Sequence, residues 1–403
     1  MSDSGPFGDE PQPFDPFGAL GGVFGDLARL AQQQGPLNWD AARQLAMAVL
    51  MSPGHTEDNV DPLDRISLEQ LARVAELQVG RVTGLPTSQT GRPLAIEPDT
   101  RSAWLNRTLE DFRPRFERLA DALKADNAAP PVEDPGDPMG LMGPLMQMIG
   151  PVMLGMTAGS MIGHLAERSF GTYDLPLPRP PRDRIGVLLG NLDAFAAEWS
   201  LPRDDLRLWL CVHEVAHHTV LGVPHVRARL DDLLDRYLTG FRPDGGGLER
   251  RLAEIDPTDT NGLAALQSAF SDPEVLLGAI RTPEQEALLP QLDALVAVLI
   301  GYVDHVMDQV GEHLITSYGP LTEAMRRRRV QADTNDRFAE RLLGLELTRA
   351  QVERGHAFVS GVLERSGEDG LARLWASERE LPTPAEVDAP GLWLARSDRP
   401  DPD

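Results

Sequence analysis

Leu206-Arg207-Leu208-Trp209-Leu210-Cys211-Val212-His213-Glu214-Val215-Ala216-His217-His218 decides how this chain of 403 residues is read. Its apolar residues recur at three- and four-residue spacing, which predicts a helix over 204–221. Asp204 and Asp205 stand where a carboxylate caps free amides, and Leu221-Gly222-Val223-Pro224 supplies a stop. Within the helix, His213, Glu214 and His217 form His-Glu-x-x-His. That spacing puts both imidazoles on one face, a turn apart, within reach of a single cation. Imidazole donors suit Zn2+. Glu214 lies beside that face, where it would take a proton from a metal-activated water and pass it to a leaving amine. An extended motif with glycine at 220 and histidine at 223 is excluded, because both positions are valine. His225 lies past Pro224 and is read as incidental, and His218 as a second hydrogen-bonding residue or a solvent-facing one. Cys211 falls about 200° around the helix from His213 and is read as a small buried hydrophobe.

A third metal donor must come from elsewhere. In the segment 292–308, Leu292, Leu295, Val296, Leu299, Val303 and Val306 form a core stripe, interrupted by Asp304, His305 and Asp308. Buried polar groups on such a helix need partners; a cation is one, an arginine or a helix end another. Tyr302 has two readings, an oxyanion donor or a packed tyrosine.

Working outward, residues 1–37 are rich in Gly, Pro, Asp and Phe and are expected to form a disordered tail. Residues 38–125 are an N-terminal helical region. One helix over 68–79 carries Leu68, Leu71, Val74, Ala75 and Val79 on a stripe, with Ser67 as its cap. Another runs from 102 to 124 and contains Pro114. Residues 126–138 form an acidic, proline-stiffened linker. The core that carries the histidine motif is placed at 139–330, a C-terminal helical region at 331–396 and an acidic tail at 397–403.

Residues 138–166 carry no Asp, Glu, Lys or Arg and hold seven of the chain's twelve methionines. The run after Pro151 is short of the roughly 20 residues that span a bilayer, so a buried helix is expected and a membrane partner is not. Gly155, Gly159 and Gly163 repeat at a spacing that lets another helix approach closely. Two short strands, 173–177 and 184–189, are expected to pair. The second is a candidate edge for aligning a peptide substrate by backbone pairing.

Thirty-eight basic against 62 acidic residues give a net charge of −24, which repels phosphate backbones and excludes general nucleic-acid binding. A single cysteine rules out an internal disulfide. No basic segment precedes an apolar one at the N-terminus, so the expected address is cytoplasmic. Gly-x-Gly-x-x-Gly, Walker and Gly-x-Ser-x-Gly patterns are absent, which leaves nucleotide and serine-hydrolase chemistry without support.

His213-Glu-Val-Ala-His217, Gly171-Thr-Tyr-Asp-Leu-Pro-Leu-Pro178, Met325-Arg-Arg-Arg-Arg329, Leu342-Leu-Gly-Leu-Glu-Leu347 and Leu381-Pro-Thr-Pro-Ala-Glu-Val-Asp-Ala-Pro-Gly-Leu-Trp-Leu394 together resemble a bacterial zincin-like metallopeptidase family. The resemblance runs from about Trp39 to Arg396. It implies a mainly α-helical, zincin-like architecture with a minimal pair of strands near the active-site helix. It also implies zinc-dependent hydrolysis of a peptide or protein substrate, with His213 and His217 as ligands. Many relatives carry Glu-Gly-x-x-Asp on the downstream helix, the glutamate being the third ligand. Here Ile300-Gly301-Tyr302-Val303-Asp304 keeps glycine and aspartate but has isoleucine first. By that resemblance Asp304, and after it His305, is the candidate third ligand. The alternative is a non-catalytic zincin-fold binding protein in which zinc is structural or lost.

Overall fold

Local capping signals set the helix boundaries in the computed structural model, which describes residues 37–51, 57, 59–126, 138–243, 279–280, 282–330 and 339–399. Helix α1, Trp39–Leu50, is capped by Asn38, whose side chain accepts from the Ala41 amide at 2.9 Å. Helix α2, Pro62–Thr83, starts at Asp61-Pro62 and stops at Gly84, whose φ of 66° suits glycine. Ser67, expected as its cap, therefore lies inside the helix. Strand β1 (Ala95–Pro98) and helix α3 (Arg101–Asp126, with Pro114 inside it) follow. Next come α4 (Pro138–Arg168), β2 (Arg184–Val187), α5 (Leu189–Glu198), α6 (Arg203–Val220) and α7 (Pro224–Thr239). Two-residue strands β3 (Arg242–Pro243) and β4 (Ala279–Ile280) precede α8, Pro283–Leu314, which opens on a Thr282–Gln285 capping box. Helices α9 (Tyr318–Val330), α10 (Arg349–Ala372), α11 (Pro384–Asp388) and α12 (Pro390–Ser397) complete the chain. The fold is mainly α, as the sequence predicts.

The strands pair differently from the expectation. β2 lies parallel to β1, in register from Ala95 opposite Arg184 to Pro98 opposite Val187. β3 and β4 are antiparallel. Residues 173–177 form no strand; they continue a strap from Thr172 on which the Thr172 and Tyr173 amides are taken by a side chain described below. Nor is β2 open to a peptide. On the side away from β1, Thr172 Oγ1 bonds both the Gly186 amide and its carbonyl, and the Leu188 amide bonds the Phe170 carbonyl. Backbone groups already engaged on both edges cannot add another strand.

Two crossings are so close that only glycine fits. A Cβ on Gly159 of α4 would lie 2.2 Å from the Ala42 carbonyl of α1, and one on Gly155 would lie 2.5 Å from that of Asn38. The glycine repeat thus seats α1 on α4. Likewise a Cβ on Gly355 of α10 would stand 1.9 Å from the Ala297 carbonyl of α8. Helix α8 is long and apolar enough to cross a membrane, yet its apolar window is 67% buried inside the protein. A single cluster of buried side chains extends from Leu37 to Leu394, so the described parts of the N-terminal, central and C-terminal regions share one core. The N-terminal tail and the acidic linker, apart from their edges, lie outside the described residues.

Candidate functional site

Helix α6 runs through the middle of this core, and every residue from Trp209 to Val220 is buried. Its capping differs from the expectation. The N-cap position falls on Pro202, which has no side-chain acceptor, so Asp204 and Asp205 lie in the first turn. There their charge still favours the positive end of the helix. Asp205 accepts instead from the Ser317 amide and hydroxyl, at 2.8 and 2.7 Å. Cys211 is buried, and burial pushes its thiol pKa up, which leaves it inert as expected.

The two imidazoles face one another as their spacing requires, with ring centroids 4.3 Å apart. Trp209 stacks on His213 at 4.9 Å and Tyr173 on His217 at 6.2 Å. His217 Nδ1 lies 3.1 Å from the His213 carbonyl, a bond that makes it the protonated nitrogen and leaves Nε2 as a donor atom. His213 Nδ1 is buried without a hydrogen-bond partner, 3.7 Å from Glu214 Oε1. Burial, followed by the nearby Arg329 guanidinium, holds the His213 pKa down at about 4. Burial and then His213 depress that of His217 still more plainly. Both rings are therefore neutral at neutral pH.

Glu214 is wholly buried, and the strap is wrapped around it. Its carboxylate accepts from the Thr172 amide at 2.9 Å and from the Tyr173 amide at 3.1 Å. Gly171 makes this closure possible, since a Cβ there would lie 2.4 Å from the Glu214 carboxyl carbon. Burial, then the Asp174 carboxylate, raise the Glu214 pKa well above the ordinary carboxylate range, against amide bonds that lower it. Tyr173 also links the strap to His218, its hydroxyl 2.9 Å from Nδ1. On the far side of that ring, Nε2 lies 3.5 Å from Asp183 Oδ1. Asp183 is itself held by the Gln89 and Thr90 amides at 2.6 and 3.0 Å. Of the two readings of His218, the hydrogen-bonding one is correct.

The candidate third donors are engaged elsewhere. Asp304 receives a two-pronged bond from Arg329, at 2.9 and 3.0 Å. His305 Nε2 turns to Glu368, 3.1 Å away. Asp308 accepts from the Tyr318 hydroxyl at 2.6 Å. Tyr302 packs edge-on against Trp375, and His225 Nε2 lies 3.5 Å from the Leu374 carbonyl. Ile300 is buried hydrocarbon. Among the described residues, no three of His, Cys, Asp or Glu are gathered closely enough to hold a metal ion. A catalytic zinc needs three protein donors and one open position. The imidazoles meet the first part of that requirement, being neutral and adjacent, with one nitrogen unpartnered. As the side chains stand, no third donor closes on the pair: Asp304, whose charge reaches both imidazoles, is held by Arg329, and this arrangement does not fit a catalytic zinc.

Arg328 and Arg329 belong to this site, although the arginine run reads in sequence as a solvated face or salt-bridge block. Arg328 bonds Asp174 and the Arg168 carbonyl at 2.8 and 2.7 Å and lies over the Phe170 ring. With His213 and Trp209 the two arginines line a cavity of about 90 Å3. A sequence signal for this exists: four consecutive helical residues sweep about 300°, so at least one must turn inward. Tyr173 and Asp183 carried no such signal, because their partners are distant in the chain.

With this geometry in view, the comparisons become informative. The model of a family described as zincin-like metallopeptidase matches residues 37–394. The chain belongs to the zincin-like metallopeptidase family. Membership suggests hydrolase activity for the scaffold and implies zinc in general terms, without naming a bond cleaved. No curated protein matches this zincin-like chain. Among solved structures, it is similar to the "crystal structure of a putative hydrolase with a novel fold from Chloroflexus aurantiacus". The two share 23% identity with a TM-score of 0.63, over 91% of this chain and 100% of the other. That likeness establishes a shared fold.

Proposed function

We propose that this chain is a non-catalytic binding protein built on the zincin-like hydrolase scaffold, its histidine pair lacking a third metal donor. The observation that carries this reading is the two-pronged Asp304–Arg329 bond. Giving Asp304 to a metal would take from Arg329, a largely buried guanidinium, its two-pronged partner and leave it only the Asp174 charge, which is destabilising. His305 and Ile300 offer no substitute. In this reading Glu214 is an anchor: its carboxylate fixes the strap, while Tyr173 and His218 fasten the strap's other side. Trp209 and Tyr173 hold the imidazoles in place from opposite ends.

A second reading has a specific observation in its favour. Two neutral imidazoles one turn apart, with a carboxyl beside them, are what zinc-dependent peptide hydrolysis requires of His213, His217 and Glu214. Asp304 or His305 would then have to leave its present partner. One experiment separates the two. Protein purified with excess zinc and then dialysed is analysed for metal, and its cleavage of a fluorogenic peptide library is compared with that of a Glu214→Gln variant. Substoichiometric zinc and equal, background cleavage support the non-catalytic reading. Stoichiometric zinc with cleavage lost in the variant establishes the peptidase.

A further inference from the structure

We propose that the groove between α9 and the first turns of α10 binds an acidic peptide, whatever the histidine pair does. The groove measures about 580 Å3, within the usual range for a ligand site, and Arg329 forms the partition between it and the histidine cavity. Arg326 lines it, is exposed, and has no acidic partner among the described residues. Arg327 and Arg349 bond Glu323 and Glu353, each through Nε alone at 2.7 Å, which leaves their outer nitrogens unengaged. Both are exposed pairs four residues apart on their own helices, a kind that contributes little and exchanges readily for another carboxylate.

Helix geometry adds to this charge. Arg349 and Val352 lie in the first turn or so of α10, just after its Thr348 cap, where the helix presents its positive end, and His356 follows one turn on. Four arginines from two helices line the groove together with Asp304, Glu323 and Glu353, so an incoming carboxylate meets Arg326 unopposed and replaces Glu323 or Glu353 at Arg327 or Arg349. An acidic peptide offers several carboxylates to arginines on two helices at once, which a single oxyanion does not. Elsewhere a net charge of −24 repels such a ligand, so binding must be local to this groove.

The test is fluorescence anisotropy of a labelled hexaglutamate peptide with the full chain at low salt. Binding should weaken about tenfold or more in an Arg326→Ala/Arg349→Ala double variant, the loss of two charge-assisted contacts. Both side chains are solvent-exposed, so the variant's melting curve should match that of the wild type. Arg73→Ala on α2, which removes a different exposed arginine, should bind as the wild type does. Hexaglutamate failing to bind, or binding unchanged in the double variant, would overturn the proposal. So would its displacement by equimolar inorganic phosphate or a single-stranded oligonucleotide, either of which would point to another ligand class.

Discussion

Ile300 sits one helical turn before Asp304, on the same face of α8, and is buried. Arg329, bonded one turn away, is already taken by Asp304, so a carboxylate buried there is poorly paired and costs several kcal/mol. Ile300→Glu should therefore lower the melting temperature without zinc and recover it when zinc is added, with zinc binding tightened well beyond wild type. Calorimetric titration and thermal unfolding with and without zinc measure both effects. His218 supports a prediction in pH. Burial lowers its pKa from 6.5 to about 4 in the fold, so below pH 6.5 the unfolded chain binds the proton first. Stability from this residue is complete above pH 6.5 and is lost as pH falls toward 4. Between pH 7 and 4.5 the wild type should lose about 2–3 kcal/mol that a His218→Gln variant does not, read as a narrowing gap in urea midpoints. The residue-level reading of the site was legible only in part. Asp304 and His305 stand out as polar interruptions in an apolar helix, but Arg329 and Glu368 lie on other elements, where no local pattern announces them.

At the level of elements, helices declared themselves through periodicity and stops; α6 and α2 lie where apolar stripes placed them, with starts shifted by Pro202 and by Asp61-Pro62. Strand β1 did not. Four residues ending in proline are too short a pattern, and their partner is far along the chain. The strap looked like a strand because its apolar residues alternate; what curls it is Glu214, a contact visible only in three dimensions. The glycine crossings give a paired prediction. Gly355→Ala and Gly159→Ala drive a methyl into the facing backbone and should each destabilise by about 2–3 kcal/mol or more. Gly190→Ala meets nothing within 4 Å and should be neutral or stabilising by about 0.5–1 kcal/mol. Chemical denaturation of the three variants compares them directly.

For the whole molecule, the shared core matters more than any single helix. Side chains from Leu37 to Leu394 pack as one cluster, and the ion pairs around α9 bind the strap and α8 to it. If the histidine pair holds no metal, as proposed, this core and these ion pairs should sustain the fold alone. Prolonged dialysis against a chelator should leave its circular dichroism and melting temperature unchanged; a drop of several degrees would reveal a structural ion.

The grip of Glu214 on the strap has a consequence in time as well as in space. The amides of Thr172 and Tyr173 belong to no helix or sheet, yet each ends on a carboxylate sealed from water. A backbone proton leaves for solvent only when its bond opens, and here opening would expose a buried acid. These two irregular positions should keep their deuterium as long as the middle of α6 does, and they should release it only when the entire fold comes apart.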